Sequence, residues 1–400
     1  LGLSFSYNIK GFDVDNIRIN QLRKGIDSTL EVDEKKLLTQ QKKKKIFITS
    51  NKKELNDCNI FIATVPTPID KKKKPDFSSL LKVCKIIGGL LKKNDIVVFE
   101  STVFPGATED ICGPELEKNS NKLKCGRDFF LGYSPERVNP GDKVHTIEKI
   151  NKVVSGQNKE VEEVLLKIYS KLTKGKVFLA KNIKVAEASK VIENAQRDIN
   201  IAFINEVARI CCKLEISTYD VLKASLTKWN FLNFEPGLVG GHCIGVDPYY
   251  LAEKARKLKI KPQVILSGRD TNDSMIKFVG KQICKKISTN SKILFLGVTF
   301  KEDVPDLRNS KSIELIRYLE DKKHNLYFYD PFIKNMKGIR NYEIKTNSKN
   351  IFDAIVLAVP HSKLLKDFKK KIYPLLKDNG VFFDLKAKFR DDYDQNYWSL

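Results

Sequence analysis

Two series of short apolar runs alternate with helical patterns along this chain of 400 residues. Continuous apolar strands separated by helices are typical of parallel sheets that are covered on both faces. The sequence therefore predicts an α/β fold with two Rossmann-like, doubly wound parallel-sheet domains. The predicted strands are Asn8–Asp13, Asn59–Val65, Asp95–Glu100, Phe129–Tyr133 and Lys152–Ser155 in the first series, and Lys292–Gly297, Asn325–Tyr329, Ala354–Val359 and Val381–Asp384 in the second.

One long helix is predicted between the two series. Residues 184–216 carry apolar side chains at mixed three- and four-residue spacing and contain neither Pro nor Gly. Helical patterns continue to about residue 285 and are interrupted by a Gly-rich stretch at 237–245. We therefore expect a Rossmann-like domain over residues 1–180, a central helical domain over 181–285 and a second Rossmann-like domain over 286–400.

Composition and charge exclude several classes of protein. The chain is 42% hydrophobic, which is too apolar for a disordered chain, and no run approaches the roughly 18 apolar residues of a membrane span. The formal net charge of +23 arises from lysine runs such as Lys42–Lys45 and Lys71–Lys74. No aromatic residues interleave these runs, so we interpret them as solvated faces rather than as a nucleic-acid platform. Such a chain could still attract anionic substrates such as nucleotides.

The eight cysteines form neither a CxxC motif nor a zinc-ligand spacing. We therefore predict no metal site and no disulfide framework, and we expect a reducing, cytoplasmic compartment. No nucleic-acid or membrane partner is expected.

The Gly-rich stretch carries the strongest chemical signal. Cys243 is flanked by glycines, where the backbone can approach a ligand closely, and Asp247 follows four residues later. If a helix begins at Asp247, a cysteine at its start would have a lowered pKa and more thiolate. We interpret Cys243 as a nucleophile, and the alternative is a turn with a buried cysteine. His242 alone is a structural or ligand-contacting residue, not a base.

The predicted long helix carries polar residues on one face. Lys190, Asn194 and Arg197 are spaced by four and three residues, which places them on the same side of a helix. This face is either a solvated stripe or, where it meets a cleft, a source of oxyanion donors and of contacts to an anionic substrate.

Loops at strand ends are the expected ligand sites, because open α/β sheets bind ligands beyond the carboxyl ends of their strands. Such loops occur at 66–68, 101–106 and 134–141, and Asp13 ends an early strand, where an acid would accept hydrogen bonds from an adenosine ribose. The strand and G-x-G-x-x-G motif expected before Asp13 are missing, and Gly2 lies too close to Asp13 for a helix and a strand. Either the sequence is truncated and shortened near its start, or this half cannot hold a pyrophosphate in the usual way.

Taken together, these motifs resemble the UDP-glucose/GDP-mannose dehydrogenase family over nearly the whole chain and in the family's order. The strings that carry the resemblance are VPTP at 65–68, STVFPG at 101–106, SPERVNPG at 134–141, AEASKVIENAQRD at 186–198, PGLVGGHCIGVDPYYL at 236–251 and FKEDVPDLRNS at 300–310. The SPERVNPG loop and the KWNFL segment at 228–232 look most like the branch that acts on UDP-N-acetylglucosamine or UDP-N-acetylgalactosamine. The UDP-glucose branch usually has a second acid where this chain has Pro140.

The resemblance implies an NAD-dependent, two-step oxidation of a sugar C6 alcohol to a carboxylate. The Cys243 thiolate would add to the intermediate aldehyde, and the resulting thiohemiacetal would be oxidised to a thioester that water hydrolyses. Lys190 would stabilise the oxyanion or move its proton, with Asn194 as a second donor. The resemblance also implies that Asp247 and Thr102 position water or a proton relay, and that Glu136 is a plausible base for hydrolysis.

Binding roles follow from the same resemblance. The residues implied for NAD are Asp13, Arg18, Thr67, Thr102 and Arg308. Those implied for the UDP-sugar are Arg137, Val138, Lys190, Asn194, Arg197, Gly240, Phe300, Lys301 and Lys386. The family also implies a homodimer through the central helices and a product that enters surface polysaccharides.

Two alternatives stay open at this stage. One is a relative that uses UDP-glucose, UDP-N-acetylmannosamine or GDP-mannose, against which only Pro140 and the 228–232 segment speak. The other is a catalytically impaired, basic binding protein that retains the fold. The missing glycine loop favours this second alternative, whereas the intact Lys190, Asn194, Cys243 and Asp247 speak against it.

Overall fold

The computed structural model describes residues 1–29, 31–139, 141–142, 144–174, 176–241, 243–345, 348–393 and 396–400. These residues divide into two compact units. Unit 1 comprises Leu1–Glu193 and Tyr249–Lys261, and unit 2 comprises Asn194–Pro248 and Pro262–Leu400. The boundary between them falls within the long helix. The division into three domains at 180 and 285 stays a prediction.

The secondary structure follows the predicted order. The strands are β1 (Ile9–Phe12), β2 (Ile46–Thr49), β3 (Ile60–Ala63), β4 (Ile96–Phe99), β5 (Phe130–Tyr133), β6 (Lys152–Gly156), β7 (Val177–Leu179), β8 (Lys292–Leu296), β9 (Asn325–Tyr329), β10 (Arg340–Asn341), β11 (Phe352–Leu357), β12 (Leu376–Asp384) and β13 (Tyr397–Ser399). The helices are α1 (Asn16–Arg23), α2 (Glu34–Lys42), α3 (Ser78–Gly88), α4 (Gly113–Asn119), α5 (Lys159–Leu172), α6 (Ile183–Leu214), α7 (Thr218–Ser225), α8 (Asp247–Lys257), α9 (Gln263–Lys286), α10 (Lys311–Asp321) and α11 (Ser362–Asp367).

Unit 1 contains two sheets among its described residues. Strands β1 and β2 form a parallel pair, and a second sheet has the order β3-β4-β5-β6-β7. Residues 1–8 contain a short 3-10 turn and no strand. The sequence analysis found no strand with a glycine-rich loop before Asp13, and residues 1–8 indeed form none. Strands β1 and β3 accordingly lie in separate sheets.

One strand pair departs from the wholly parallel sheet that the sequence predicted. Strand β6 runs antiparallel to β5, with Gly132 opposite Gly156 and Tyr133 opposite Ser155. The other pairs of the five-stranded sheet are parallel. A parallel connection needs a crossover, usually a helix, and the described residues between β5 and β6 form none.

Unit 2 is built around a six-stranded, wholly parallel sheet. Its strand order is β10-β9-β8-β11-β12-β13, which is the doubly wound order, with the direction of winding reversed between β8 and β11. Apolar clusters cover both faces, one around Phe295 and Leu315 and the other around Leu294 and Phe368. Gly297 follows β8 with φ at 78°, and a Cβ there would lie 2.2 Å from the Val359 carbonyl oxygen. Only glycine therefore allows the two loops at this switch point to approach each other.

The long helix α6 extends over 32 residues, which confirms the predicted helix. The Gly-rich stretch ends where α8 begins, at Asp247, as the interpretation of Cys243 requires. In the described part of the chain, no helix combines the length and the apolar character of a transmembrane segment.

Candidate active site

The structure brings three of the predicted catalytic residues together in unit 2. The side-chain amide of Asn194 donates a hydrogen bond of 2.5 Å to Oδ2 of Asp247. The backbone N–H of Asp247 donates in turn to the carbonyl of Cys243, at 2.8 Å. Asn194 and Asp247 are buried, whereas Cys243 is exposed. A buried acid and amide thus fix the turn that presents an accessible cysteine.

The two remaining predicted residues of α6 differ in environment. Lys190 is only 8% exposed, and its ammonium has no hydrogen-bond or ion-pair partner among the described residues. Arg197, in contrast, is exposed, so it supplies a charge at the surface of the helix.

The switch point of the six-stranded sheet opens into a cavity of about 90 Å³. Gly240, Phe300, Lys301 and Lys386, which the sequence assigned to the UDP-sugar, all line it. Burial lowers the pKa of Lys386, and Glu302 and Glu235 partly oppose this effect. This cavity lies where doubly wound sheets bind ligands, and three lysines line it, Lys301, Lys311 and Lys386, of which Lys311 is paired with Glu314.

A buried histidine that the sequence analysis missed supports one wall of this cavity. His361 is fully buried, and its Nε2 lies 3.1 Å from Oδ2 of Asp330 and 3.2 Å from Oγ1 of Thr299. Its Nδ1 accepts the backbone N–H of Asp303 at 2.9 Å. These contacts fix both ends of the loop that carries Phe300 and Lys301. No spacing in the sequence joins residues so far apart in the chain.

In unit 1, Asp13, Thr67 and Thr102 all follow strand ends, as predicted. The backbone N–H of Asp13 donates to the carbonyl of Thr49, and its Oδ1 accepts the N–H of Asp15 at 2.9 Å. Its Oδ2 has no hydrogen-bond partner among the described residues, which suits an acceptor for a ribose hydroxyl. The Ser101 hydroxyl, beside Thr102, donates to the Val65 carbonyl at 2.6 Å and thereby joins the loops of Thr67 and Thr102.

Arg18 and Arg308, which the resemblance assigned to NAD binding, each form an ion pair with an aspartate. The guanidinium of Arg18 donates to Oδ1 of Asp27 at 2.6 Å and to the Ser28 hydroxyl at 3.1 Å. In unit 2, Arg308 binds Asp306 through Nε and Nη2, the latter at 2.7 Å. The structure therefore gives each arginine a local role, and a cofactor contact by either one stays a prediction.

The 134–141 loop carries three more predicted residues. Oε1 of Glu136 accepts the backbone N–H of Val138 at 2.5 Å, and its Oε2 lies 3.6 Å from the ammonium of Lys152. Arg137 pairs with Glu193 of α6 at 2.8 Å. Pro140, on which the argument against UDP-glucose depends, lies outside the described residues, as does His242.

A buried carboxyl on α6 was also missed by the sequence analysis. Glu187 is fully buried and accepts hydrogen bonds from the backbone N–H groups of Gly106 and Thr108, the latter at 2.8 Å. Burial raises its pKa to about 7, although these hydrogen bonds partly oppose the rise. Glu187 therefore ties the loop that follows Thr102 to the helix that carries Lys190.

The remaining surface agrees with the interpretation of the charge. Lys42–Lys45 and Lys71–Lys74 are exposed, so these lysines are solvated. Among the described residues, no group of three His, Cys, Asp or Glu side chains is arranged to hold a metal ion.

Comparisons with known proteins cover nearly the whole chain. Family models described as the NAD binding, central and UDP binding domains of the UDP-glucose/GDP-mannose dehydrogenase family match residues 4–173, 184–274 and 294–391. The Staphylococcus aureus protein named Protein CapL is 47% identical, over 98% of this chain and 94% of its own length. A Pseudomonas aeruginosa UDP-N-acetyl-D-glucosamine 6-dehydrogenase is 46% identical, over 96% of this chain and 92% of its own. The solved structure of a UDP-D-ManNAc dehydrogenase from Pyrococcus horikoshii superposes with a TM-score of 0.88 at 25% identity, over 100% of this chain and 94% of that one.

Proposed function

The chain belongs to the UDP-glucose/GDP-mannose dehydrogenase family, and from that premise we propose that it oxidises C6 of a UDP-N-acetylhexosamine, with UDP-GlcNAc preferred over UDP-GalNAc. It is an NAD-dependent nucleotide-sugar dehydrogenase with a UDP binding domain. The observation that carries the choice of sugar is the 46% identity, over 96% of this chain, to a UDP-N-acetyl-D-glucosamine 6-dehydrogenase.

Cys243 is the nucleophile of the proposed reaction. Its thiolate adds to the C6 aldehyde, so a C–S bond forms and the carbonyl oxygen becomes an oxyanion. The accessible position of Cys243 and its anchoring to Asp247 support this role. Lys190, which is 8% exposed, stabilises the oxyanion or supplies its proton, and the Asn194 amide is the second donor.

NAD, when bound, would supply the hydride acceptor, with one NAD used for the oxidation of the alcohol and a second for that of the thiohemiacetal. The described residues fit the adenosine end, because Asp13 offers a carboxylate oxygen at the end of β1. Thr67 and Thr102 follow the next strands and would complete this site, with Arg18 and Arg308. Water then attacks the thioester carbon, Glu136 takes its proton, and the C–S bond breaks to release the carboxylate and the thiol.

The cavity at the switch point of unit 2 would hold the nucleotide. Lys301 and Lys386 would bind anionic oxygen, and Phe300 would pack against the substrate beside Gly240. Arg137, Val138 and Arg197 would make the further substrate contacts that the family implies. Asp247 and Thr102 would position the water or relay its proton.

We also propose a homodimer through α6, located in the cytoplasm, whose product enters surface polysaccharides. One face of α6 exposes apolar side chains at intervals of 7, 11, 7 and 4 residues, which are close to whole helical turns. They are Val185, Ile192, Phe203, Ile210 and Leu214. An exposed apolar stripe of this kind is typical of a helix that packs against a partner.

The test is NADH formation by the purified protein with UDP-GlcNAc, UDP-GalNAc, UDP-ManNAc, UDP-glucose and GDP-mannose in separate reactions, with products identified by mass. We expect about two NADH per sugar and the highest kcat/KM with UDP-GlcNAc. The preference over UDP-glucose and GDP-mannose should be about tenfold or more, because a site that binds the acetamido group leaves its polar groups unpaired without it. A preference for UDP-ManNAc, UDP-glucose or GDP-mannose would overturn the choice of sugar. No NADH from any sugar would favour the impaired binding protein.

A further inference from the structure

A lysine that the proposed mechanism does not use lies fully buried beside Glu136. The side chain of Lys152 has no solvent exposure. Its ammonium lies 3.2 Å from Oε2 of Glu100 and 3.6 Å from Oε2 of Glu136. A buried cation requires compensating charge, and here two carboxylates from different loops supply it.

The reversed strand β6 explains how Lys152 reaches this position. Strands β5 and β6 are antiparallel, with Tyr133 opposite Ser155. If this register is continued by three residues, Lys152, the first residue of β6, lies opposite Glu136. In a strand parallel to β5, the first residue would lie at the amino edge of the sheet, away from the loops where ligands bind. Because β6 is antiparallel to β5, Lys152 lies at the edge of the sheet where β5 ends, beside the loops that are expected to bind ligands.

The second carboxylate is fixed independently of Glu136. The phenol of Tyr169, on α5, donates to Oε1 of Glu100 at 2.5 Å. The Lys152 ammonium also lies 5.6 Å from the centre of the Tyr169 ring. Burial, together with the charge of Glu100, raises the pKa of Tyr169 well above its usual value, so the phenol stays a donor. Glu100, Tyr169 and Lys152 thus form a rigid base beneath the half-exposed Glu136.

Two further acids, Glu31 and Glu100, lie near Glu136. Glu31, in the loop before α2, has a raised pKa because of its burial and the charges of Asp27 and Glu136. Glu100 is the second acid of the cluster. Lys152 is the cation that Glu136 contacts, since the guanidinium of its neighbour Arg137 is paired with Glu193.

We propose that Lys152 is a positioning residue that holds the Glu136 carboxylate in the orientation needed for the hydrolysis of the Cys243 thioester. The proposal rests on the proposed function, in which Glu136 takes the proton from the attacking water. The balance of the step is unchanged: the water oxygen forms a C–O bond, Glu136 takes the proton, and the thiolate leaves. Lys152 neither gains nor loses a proton.

The test compares Lys152→Met with Lys152→Arg and with Lys149→Met, a matched exposed lysine in the preceding turn. For Lys152→Met we expect kcat to fall about 10- to 100-fold, because the base of the hydrolytic step loses the contact that orients it. The KM for the UDP-sugar should change less than about threefold, because Lys152 is not a substrate contact. Rapid mixing should show a burst of NADH, and intact mass should show the sugar thioester on the protein. Lys152→Arg and Lys149→Met should both retain the wild-type kcat and should accumulate no thioester.

A second variant keeps the proposal falsifiable if Lys152→Met folds poorly. Lys152→Met combined with Glu100→Gln removes one cation and one anion, so no unpaired charge is left at Glu100, and this variant should still show the NADH burst and the thioester. An unchanged kcat in Lys152→Met, or a loss of kcat without a burst or thioester in both variants, would overturn the proposal while the wild type still makes two NADH per sugar. An inactive wild type would overturn the proposed function and this proposal with it.

Discussion

The amide of Asn194 and the carboxylate of Asp247 are joined by a hydrogen bond of 2.5 Å between two buried side chains. One lies on the long helix α6 and the other is the first residue of α8. The next residue in this chain of contacts is Cys243, whose carbonyl accepts the N–H of Asp247. The position of the cysteine turn therefore depends on a contact between two helices.

Asn194→Ala should lower kcat about 10- to 150-fold, since hydrogen bonds to charged groups contribute about 1.5–3 kcal/mol and a buried carboxylate would lose its donor. Steady-state NADH formation measures the change. Gln196→Ala, on an exposed position of the same helix, is the matched control and should stay within about twofold of the wild type. If both variants lost kcat to the same extent, the loss would reflect a general sensitivity of α6 and not the hydrogen bond between Asn194 and Asp247.

Cys243→Ser should abolish net formation of the acid, with a fall of about 10³-fold or more, because a serine hydroxyl is a far weaker nucleophile than a thiolate. The product would be assayed by mass and the fold by circular dichroism. Cys212→Ser, on α6, is the control and should remain active. Normal carboxylate production by Cys243→Ser would remove the nucleophile assignment.

Gly240→Ala should weaken binding of UDP about 5- to 150-fold, which corresponds to the roughly 1–3 kcal/mol typical of overpacking. A Cβ at Gly240 would lie 2.5 Å from the backbone oxygen of Asn309, so the loop that lines the cavity must move. Gly245→Ala is the matched control, because its nearest new contact is at 3.6 Å. Calorimetric titration with UDP compares the two variants, and equal affinities would contradict the expectation.

Glu187→Gln should change the pH dependence of stability. Burial raises the pKa of Glu187 to about 7 from a reference value of 4.5, so its stabilising contribution is complete below pH 4.5 and is lost as the pH rises through about 7. From pH 5 to pH 8 the wild type should lose up to about 3 kcal/mol relative to the glutamine variant. Urea unfolding at both pH values measures this difference. Glu163→Gln, an exposed residue on α5, should show no such divergence.

Phe203→Glu should convert the proposed dimer into a monomer at micromolar concentration, because it places a charge in the apolar stripe of α6. Light scattering coupled to gel filtration measures the mass. Phe178→Glu, at an exposed phenylalanine on β7, should leave the mass unchanged. A wild type that elutes as a monomer would contradict the dimer directly.

Nine of the 13 described strands could be predicted from the sequence because their apolar patterns are strong, whereas β2, β7, β10 and β13 were missed. The strand Asn325–Tyr329 was predicted with its observed bounds, and the long helix was placed within two residues at each end. The direction of β6 could not be predicted, because a short apolar run such as VVS has the same pattern whether it runs parallel or antiparallel to its neighbour. The direction of β6 depends instead on the segment that connects it to β5, whose described residues form no crossover helix.

The site was predictable only where its residues are close in the chain. The spacing of Cys243 and Asp247 favoured a helix that begins at Asp247, and α8 begins there. Lys152 and Glu136 are 16 positions apart and approach through strand pairing. Glu187 and Gly106 are 81 positions apart. Nothing in the local sequence distinguishes such pairs from surface charges, so these buried contacts emerged only from the fold.

Asp27 has a consequence for the interpretation of mutational surveys. Its buried carboxylate accepts hydrogen bonds from Arg18, from the Thr29 hydroxyl and from the N–H groups of Glu31 and Val32. Substitutions at Asp27 would release Arg18 and the segment that follows, and with the proposed contact between Arg18 and NAD they would lower NAD affinity although the Asp27 side chain is buried. A survey scored only by activity would place Asp27 among the cofactor contacts. Limited proteolysis of this segment would separate an architectural residue from a true contact.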